Sequence, residues 1–168
     1  MAIKLQSLIK ALYNMSSNLQ IDSLDKKILS LITKNARIPF LEVARECKVS
    51  GAAIHQRIQR LISMGVIKGS EFIVNPAKIG YHTCAFMGVF LKKASMFDKV
   101  VSMLESIPQI VECHYTTGQY AIFIKIYAQN NEHLKSILHD KLQAITGISA
   151  TETIISLEES FKRQIPIE

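Results

Sequence analysis

The residues best suited to chemistry lie in one predicted helix, over positions 50–64. Apolar side chains at Ile54, Ile58, Leu61 and Ile62 recur at helical spacing and predict one buried stripe. Small and polar side chains occupy the opposite face and its flanks: Ala52, Gln56, Gln59, Arg60 and Ser63, with His55 and Arg57 beside them. Glutamine pairs with adenine, arginine with guanine or phosphate, and alanine contacts the thymine methyl. The pattern therefore suits a helix in a DNA major groove, and a merely solvated polar face is the alternative.

Two earlier helices are predicted to position this one. The first begins after an N-cap at Asp22 or Ser23, and its stripe is Leu24, Ile28, Leu31 and Ile32. Pro39 opens a short second helix, whose apolar positions are Phe40, Leu41, Val43 and Ala44. Lys48 and Val49 form a tight connection, Ser50 caps the third helix, and Gly65 lies just past its end. This order predicts a helix-turn-helix, followed by a wing in which strands at 66–67 and 72–74 flank a turn at 68–70.

The charge of the chain is unevenly distributed along its length. Residues 1–74 hold 11 Lys/Arg and 5 Asp/Glu, whereas residues 75–168 hold 9 of each. A local excess of positive charge favours a polyanionic partner for the first part, although a lysine-rich solvated surface is the alternative. Arg37, Arg45, Lys48 and Lys68 are the predicted phosphate contacts, which add affinity without reading sequence.

The second half of the chain has a different pattern, with strands alternating with helices. Strands are predicted at 81–91, 110–116, 120–128 and 148–157, with helices after Ser95 and from Asn131. The order βαββαβ predicts a ferredoxin-like α/β sandwich. Because both faces of the segment YAIFIKIYA are largely apolar, we expect a second copy of the chain to cover the face that lacks helices.

Several classes of protein do not suit the sequence. Cys47, Cys84 and Cys113 are far apart and form no CxxC pair, so we expect reduced thiols, each buried as a small apolar residue, and no metal site. We find no apolar run long enough for a membrane span, no signal peptide and no catalytic motif. We therefore predict a cytoplasmic protein that is not an enzyme and has no cofactor.

Two stretches carry a resemblance to a known family. These are LDKKILSLITKNARIPFLEVARECKVS, continued by IHQRIQRLISMGVIKGSEFIVNPAKIGY, and TTGQYAIFIKI in the second half. The chain resembles the Lrp/AsnC (feast/famine) family of transcription regulators over roughly residues 22–160. The resemblance implies an N-terminal winged helix-turn-helix, a C-terminal ligand-sensing domain of the RAM type, and dimers that often build larger even-numbered rings. It also implies that an amino acid effector binds near the turn in the second stretch, at the interface between subunits.

Domain limits and candidate sites follow from these patterns together. We expect an N-terminal extension at 1–21, with Leu5, Leu8, Ile9 and Leu12 spaced for a short helix, a DNA-binding domain at 22–75, and an effector-binding and dimerisation domain at 76–168. The candidate DNA-binding residues are Arg37, Lys48, Ser50, Ala52, Ala53, His55, Gln56, Arg57, Gln59, Arg60 and Lys68. The candidate effector-binding residues are Thr116, Thr117, Gly118, Gln119 and Tyr120.

The chain departs from the family pattern at two places. Gly51, Ala52 and Ala53 stand where the family usually has Ser/Thr-rich residues at the start of the recognition helix. The effector turn usually reads like GDYD, but here Gln119 and Ala121 replace both acidic residues, which removes partners for an ammonium group.

The favoured function is regulation of transcription by a sequence-specific protein that binds double-stranded DNA and responds to a small metabolite such as an amino acid. Two alternatives share the fold. One is an enzyme similar to the sirohaem decarboxylases, which the basic first half disfavours. The other is an amino-acid-sensing accessory protein that does not contact DNA.

Overall fold

The computed structural model describes residues 20–167. The short helix predicted around residues 5–12 lies outside this range. The chain divides into two compact units. A helical unit comprises the described residues up to Phe72 and those after Lys162, and a sheet unit comprises Ile73–Lys162.

The helical unit is built from α1 (Ser23–Lys34), α2 (Phe40–Cys47) and α3 (Gly51–Ser63). Asp22 is the N-cap of α1, and Ser50 is the N-cap of α3, as predicted. Between α2 and α3 the chain turns sharply because Lys48 adopts a left-handed conformation with φ of 57°. This turn fixes the direction in which α3 leaves α2.

A small apolar cluster holds these three helices together. Ile28, Val43, Ala44, Ile54 and Ile58 are 0–5% exposed and pack against one another. The predicted stripe of α3 is correct for three of its four residues, but Ile62 is 46% exposed. Ile62 lies roughly 70° around the helix from the centre of that stripe, so it reaches only its margin.

The segment after α3 differs from the prediction. In the described part of the chain, residues 66–75 form no strand, so the predicted hairpin strands of the wing are wrong. Phe72, Ile73 and Val74 are 73%, 89% and 55% exposed. A two-stranded ribbon without a third strand is marginally stable in water, and the exposed side chains of Phe72, Ile73 and Val74 add little packing to hold a ladder together.

The sheet unit contains β1 (Thr83–Leu91), α4 (Phe97–Glu105), β2 (Ile110–Tyr115), β3 (Ile122–Ala128), α5 (Asn131–Ser136) and β4 (Ile148–Ser156). Helix α5 continues as a π-helical turn over Ile137–Leu142. The strands lie in the antiparallel order β2-β3-β1-β4. The predicted βαββαβ order and α+β class are confirmed.

The two faces of this sheet have different environments. One face is buried under α4 and α5, where Met87, Val89, Ile122, Ile124 and Ile126 are 0% exposed. The other face has no helix over it among the described residues, and it presents an aromatic row. Within that row the rings of Phe86 and Phe123 stack with their centroids 5.9 Å apart.

The three cysteines are all free thiols. Cys47 and Cys84 are partly buried, but Cys113 is exposed, so the prediction of a buried side chain is wrong for Cys113. Burial raises the pKa of the Cys84 thiol. Within residues 20–167, no helix has the length and apolar character needed to cross a membrane.

Candidate nucleic-acid interface and effector turn

Helix α3 presents two opposite faces. Ile54, Ile58 and Leu61 are buried at 0%, 5% and 0% exposure. On the opposite side, the exposed residues are Ala52, Gln56, Gln59, Arg60 and Ser63. The helical periodicity thus gives one apolar side that anchors α3 and one exposed side with hydrogen-bonding amides.

The start of α3 is held in place by local hydrogen bonds. The Ser50 hydroxyl accepts a hydrogen bond from the Ala53 backbone N–H at 3.2 Å. Gly51 and Ala52 have no polar side chain. The backbone N–H groups of the first turn therefore remain open to a close approach by a ligand. The structure therefore assigns Ser50 a capping role, alongside the DNA contact predicted for it.

The two arginines of α3 contact the start of α1. Arg57 Nη1 donates to Asp22 Oδ2 at 2.6 Å and to Asp25 Oδ1 at 2.8 Å. Arg60 Nη1 donates to Asp25 Oδ2 at 3.2 Å, and its Nη2 donates to the Gln20 carbonyl oxygen at 3.1 Å. We call Asp22 and Asp25 the acidic pair. Both predicted arginine contacts to DNA thus have carboxylate partners inside the protein.

The acidic pair also builds the beginning of α1. The Asp22 carboxylate accepts from the Asp25 backbone N–H at 2.8 Å, and the Asp25 carboxylate accepts from the Asp22 N–H at 3.2 Å. The hydrogen bond from the Asp25 N–H, together with the hydrogen bond from Arg57, lowers the pKa of the Asp22 carboxyl. Asp22 in turn raises the pKa of the Arg57 guanidinium, so both groups remain charged.

Sequence reasoning missed Asp25, which is 0% exposed. A signal for it was present, because Asp22 and Asp25 have the three-residue spacing of a capping box. The capping box does not reveal the arginines, however, since they lie 32 and 35 residues further along the chain.

The predicted phosphate contacts, Arg37, Arg45, Lys48 and Lys68, are all exposed. The Arg37 guanidinium lies over the Phe72 ring, 4.5 Å from its centroid. His55, at the other edge of α3 from the arginines, lies edge-on to Phe40 with ring centroids 6.3 Å apart. These groups give the helical unit cationic side chains beside the amide face of α3.

The predicted effector turn lies between β2 and β3. Thr116 Oγ1 donates to the Tyr120 carbonyl oxygen at 2.8 Å, and the Thr116 N–H donates to the Ala121 carbonyl oxygen at 3.1 Å. Gly118 has a φ of 105°, a conformation that favours glycine. The turn is therefore closed by its own backbone and by one threonine.

Tyr120 connects this turn to the open face of the sheet. Its ring lies on Gly88 of β1, where an added Cβ would come within 2.3 Å of a ring carbon. The Tyr120 hydroxyl donates to Glu152 Oε2 at 2.7 Å, and this hydrogen bond raises the pKa of Tyr120. Gly88 is thus required for the observed position of Tyr120.

A cavity of about 420 Å³ lies beside the turn. Thr116, Gly118, Gln119 and Tyr120 line it, and Thr117 is exposed next to them. The remaining lining residues are mainly apolar: Phe90, Leu91, Ala94, Phe97, Tyr115, Ala121 and Ser149. Among the described residues that line this cavity, none is ionised at neutral pH.

Lys125 is a charged residue on the open face of the sheet. Its side chain is 9% exposed, and Nζ lies 3.6 Å from Glu112 Oε1 and 4.0 Å from Glu159 Oε1. It also lies over the rings of Phe86 and Tyr127, at 5.6 and 5.3 Å from their centroids.

Nowhere in residues 20–167 do three His, Cys, Asp or Glu side chains form a group that could hold a metal ion.

Comparison with known proteins places both units. Residues 21–68 match the family model described as winged helix-turn-helix DNA-binding, and residues 84–166 match the Lrp/AsnC ligand binding domain. The regulatory protein AsnC of Haemophilus influenzae is 43% identical over 86% of this chain and 97% of its own length.

Solved structures agree with this placement. The structure of AsnC from Escherichia coli is 37% identical, with a TM-score of 0.82, and the match covers 87% of this chain and 98% of that one. A transcriptional regulator from Neisseria meningitidis, solved as a complex with L-Met, has a TM-score of 0.81 at 18% identity, covering 88% of this chain and 97% of that one, which shows a shared fold. With both units matched and a relative this similar along nearly its whole length, the chain belongs to the Lrp/AsnC family of transcription regulators.

Proposed function

We propose that α3 lies in the major groove of double-stranded DNA and reads bases with Ala52, Gln56 and Gln59. The observation that carries this proposal is the division of α3 into a buried apolar side and an opposite side with exposed amides. A glutamine amide donates and accepts at once, which matches the edge of adenine. Ala53 and His55, at either margin of this face, complete the proposed contact surface. The first turn of α3, capped by Ser50, is proposed to face the DNA backbone.

The phosphate contacts are proposed to come from exposed cations around α3, namely Arg37, Arg45, Lys48 and Lys68. Such contacts set the register of the protein on the duplex and make the affinity depend on salt. On this proposal, residues 22–75 are the DNA-binding domain, and residues 76–168 are the effector-binding and dimerisation domain. The protein would act in the cytoplasm, where it can reach chromosomal DNA.

Self-association is proposed to occur through the open face of the sheet. Phe86, Phe90, Tyr120 and Phe123 form a continuous row of ring contacts there, with centroids 5.2–6.2 Å apart. A second copy would bury this row and present a second α3, and further pairing of dimers would give larger even-numbered assemblies. Two recognition helices on one assembly add avidity at tandem sites.

The cavity beside the turn is the proposed site for a small metabolite such as an amino acid. Its volume and its aromatic walls support this assignment, as does the L-Met complex of the Neisseria meningitidis regulator with the same fold. Because the described lining holds no ionised side chain, the charges of an amino acid need partners such as the Gln119 amide, free backbone groups and a second copy. A ligand that bridges copies would favour one assembly over another and so change the affinity for DNA.

Substitution of Gln56 tests the base-reading proposal. Binding of Gln56→Ala to a selected operator should weaken by about 1–3 kcal/mol, while binding to random duplex DNA stays unchanged. Ser102→Ala, on α4 of the sheet unit, is the matched control and should leave both affinities unchanged. Equal losses on operator and random DNA would show that Gln56 does not read bases.

Calorimetry of the full chain with the twenty amino acids tests the effector proposal. A binding amino acid should lose affinity in Gln119→Ala while the variant still self-associates. An amino acid that binds the wild type and Gln119→Ala equally would place the effector elsewhere.

A further inference from the structure

Asp25 is a buried carboxylate whose two oxygens are both occupied by arginines of α3. It is 0% exposed, and it accepts from Arg57 at 2.8 Å and from Arg60 at 3.2 Å. Asp22 accepts a further hydrogen bond from Arg57 at 2.6 Å. Two carboxylates therefore balance two guanidinium groups in one cluster.

The position of the arginines on α3 makes this cluster relevant to DNA. At about 100° per residue, Arg57 and Arg60 lie along one edge of the amide face that contains Gln56 and Gln59. An arginine at such an edge would ordinarily reach a phosphate of the duplex. Here both side chains instead extend toward the start of α1.

We propose that Asp25 is a positioning residue that withholds Arg57 and Arg60 from the DNA backbone, so that α3 discriminates sequences with uncharged side chains. This inference rests on the proposed binding of DNA by α3. Affinity for DNA of any sequence grows with the number of phosphates that a protein neutralises, so two withheld cations lower the sequence-independent part of the affinity. Because Asp25 is buried, salt screens its ion pairs less than it screens exposed cations.

The nearly isosteric variant Asp25→Asn tests this inference. Release of the arginines should steepen the slope of log affinity against log salt by about 1–2, since each added phosphate contact contributes about 0.9. Affinity for random duplex DNA and for the operator should both rise several-fold, because phosphate contacts do not depend on sequence. Glu46→Gln removes the same charge from the exposed end of α2 and should leave the slope unchanged. A folded Asp25→Asn with the wild-type slope, or an equal change in Glu46→Gln, would overturn the proposal.

A second variant keeps the test decisive if Asp25→Asn does not fold. The triple variant Asp25→Asn/Arg57→Gln/Arg60→Gln removes the buried carboxylate together with both of its cations. If the arginines are withheld in the wild type, the triple variant should retain the wild-type slope. A slope shallower by about 1–2 would show that the arginines contact phosphates in the wild type.

Failure of the proposed function gives a different result. If the wild-type chain bound no duplex DNA, the proposed function and the withholding role would both be refuted. Thermal unfolding would then test whether the ion-pair cluster stabilises the helical unit. Asp25→Asn should melt several degrees below Glu46→Gln, and equal melting temperatures would show that the cluster does not hold α3 to α1.

Discussion

The helical unit and the sheet unit depend on different interactions for their order. In the helical unit, five well-buried apolar residues form the central cluster, and the acidic pair joins α1 to α3 through Arg57 and Arg60. In the sheet unit, fourteen buried residues pack between strands and helices, and the face without helices still presents aromatic rings. The unit proposed to read DNA thus has a small apolar core supported by ion pairs, whereas the other unit has a large core and an aromatic face without a helical cover.

This difference also separates the two proposed activities. Sequence discrimination is assigned to α3, whose orientation depends on its caps and on the acidic pair. Assembly and sensing are assigned to β1, β3 and the turn that precedes β3, which rest on a large core. Changes in one unit should therefore alter one activity before the other.

Truncation of the small core should have the largest effect. Ile54→Ala removes buried methyl groups from a 0% exposed site and should destabilise the helical unit by about 2–5 kcal/mol. DNA binding should be lost while sedimentation still reports self-association. Loss of self-association in Ile54→Ala, with the sheet still folded by circular dichroism, would contradict the separation of activities.

A charge on the aromatic row should break the assembly. Phe123→Glu places an unpaired carboxylate among stacked rings, and burial of such a charge costs several kcal/mol at least. Sedimentation should report monomers at micromolar concentration, and DNA affinity should fall because avidity is lost. Ser102→Glu, on the solvent side of α4, should remain associated. A Phe123→Glu dimer would place the interface elsewhere.

A methyl group at Gly88 should disturb the turn more than the core. Gly88→Ala would bring Cβ to 2.3 Å from the Tyr120 ring, so the ring must move, at a cost of about 1–3 kcal/mol. The Tyr120 hydrogen bond to Glu152 should be lost, and effector binding should weaken by calorimetry while DNA binding without effector persists. An effector affinity equal to that of the wild type would show that Tyr120 does not form part of the effector site.

Acid should have a small effect on the helical unit through Asp22. Its pKa is lowered in the folded chain from an ordinary value of 3.8, so its stabilisation is present above that value and is lost as the pH falls through the folded pKa. Because Asp22 is 47% exposed, solvent screening limits the contribution to less than about 1 kcal/mol. Asp22→Asn should have a lower free energy of unfolding than the wild type at pH 6, and the two values should converge as the pH falls through the folded pKa of Asp22. A constant difference at every pH would assign the effect to the cap alone.

Local patterns in the sequence were sufficient for much of this structure. Helical spacing located α1 to α3, the cap at Ser50 was visible as a serine before an apolar stripe, and alternating strands and helices gave the βαββαβ order. Each of these features is determined by residues close together in the chain. The same holds for the turn at Gly118, whose φ of 105° fits a glycine.

Other features depend on residues far apart in the chain and were not predictable. The direction of Arg57 and Arg60 is set by carboxylates more than thirty residues earlier, so a helical wheel gives the sides of α3 on which they lie but not their partners. The missing strands of the wing depend on what lies beside residues 66–75, which no local pattern contains. The DNA-binding and effector-binding residues are proposals because each site is completed by another molecule, namely DNA or a small metabolite.

Fluorescence anisotropy of a labelled random-sequence duplex, titrated with the full chain at several potassium chloride concentrations, shows whether the cations around α3 bind DNA phosphates. If Arg37, Arg45, Lys48 and Lys68 of each copy neutralise phosphates, log affinity should fall with log salt with a slope of about −3 to −4 per copy. No measurable affinity at low salt, or an affinity that does not change with salt, would contradict the assignment of α3 and its cations to DNA.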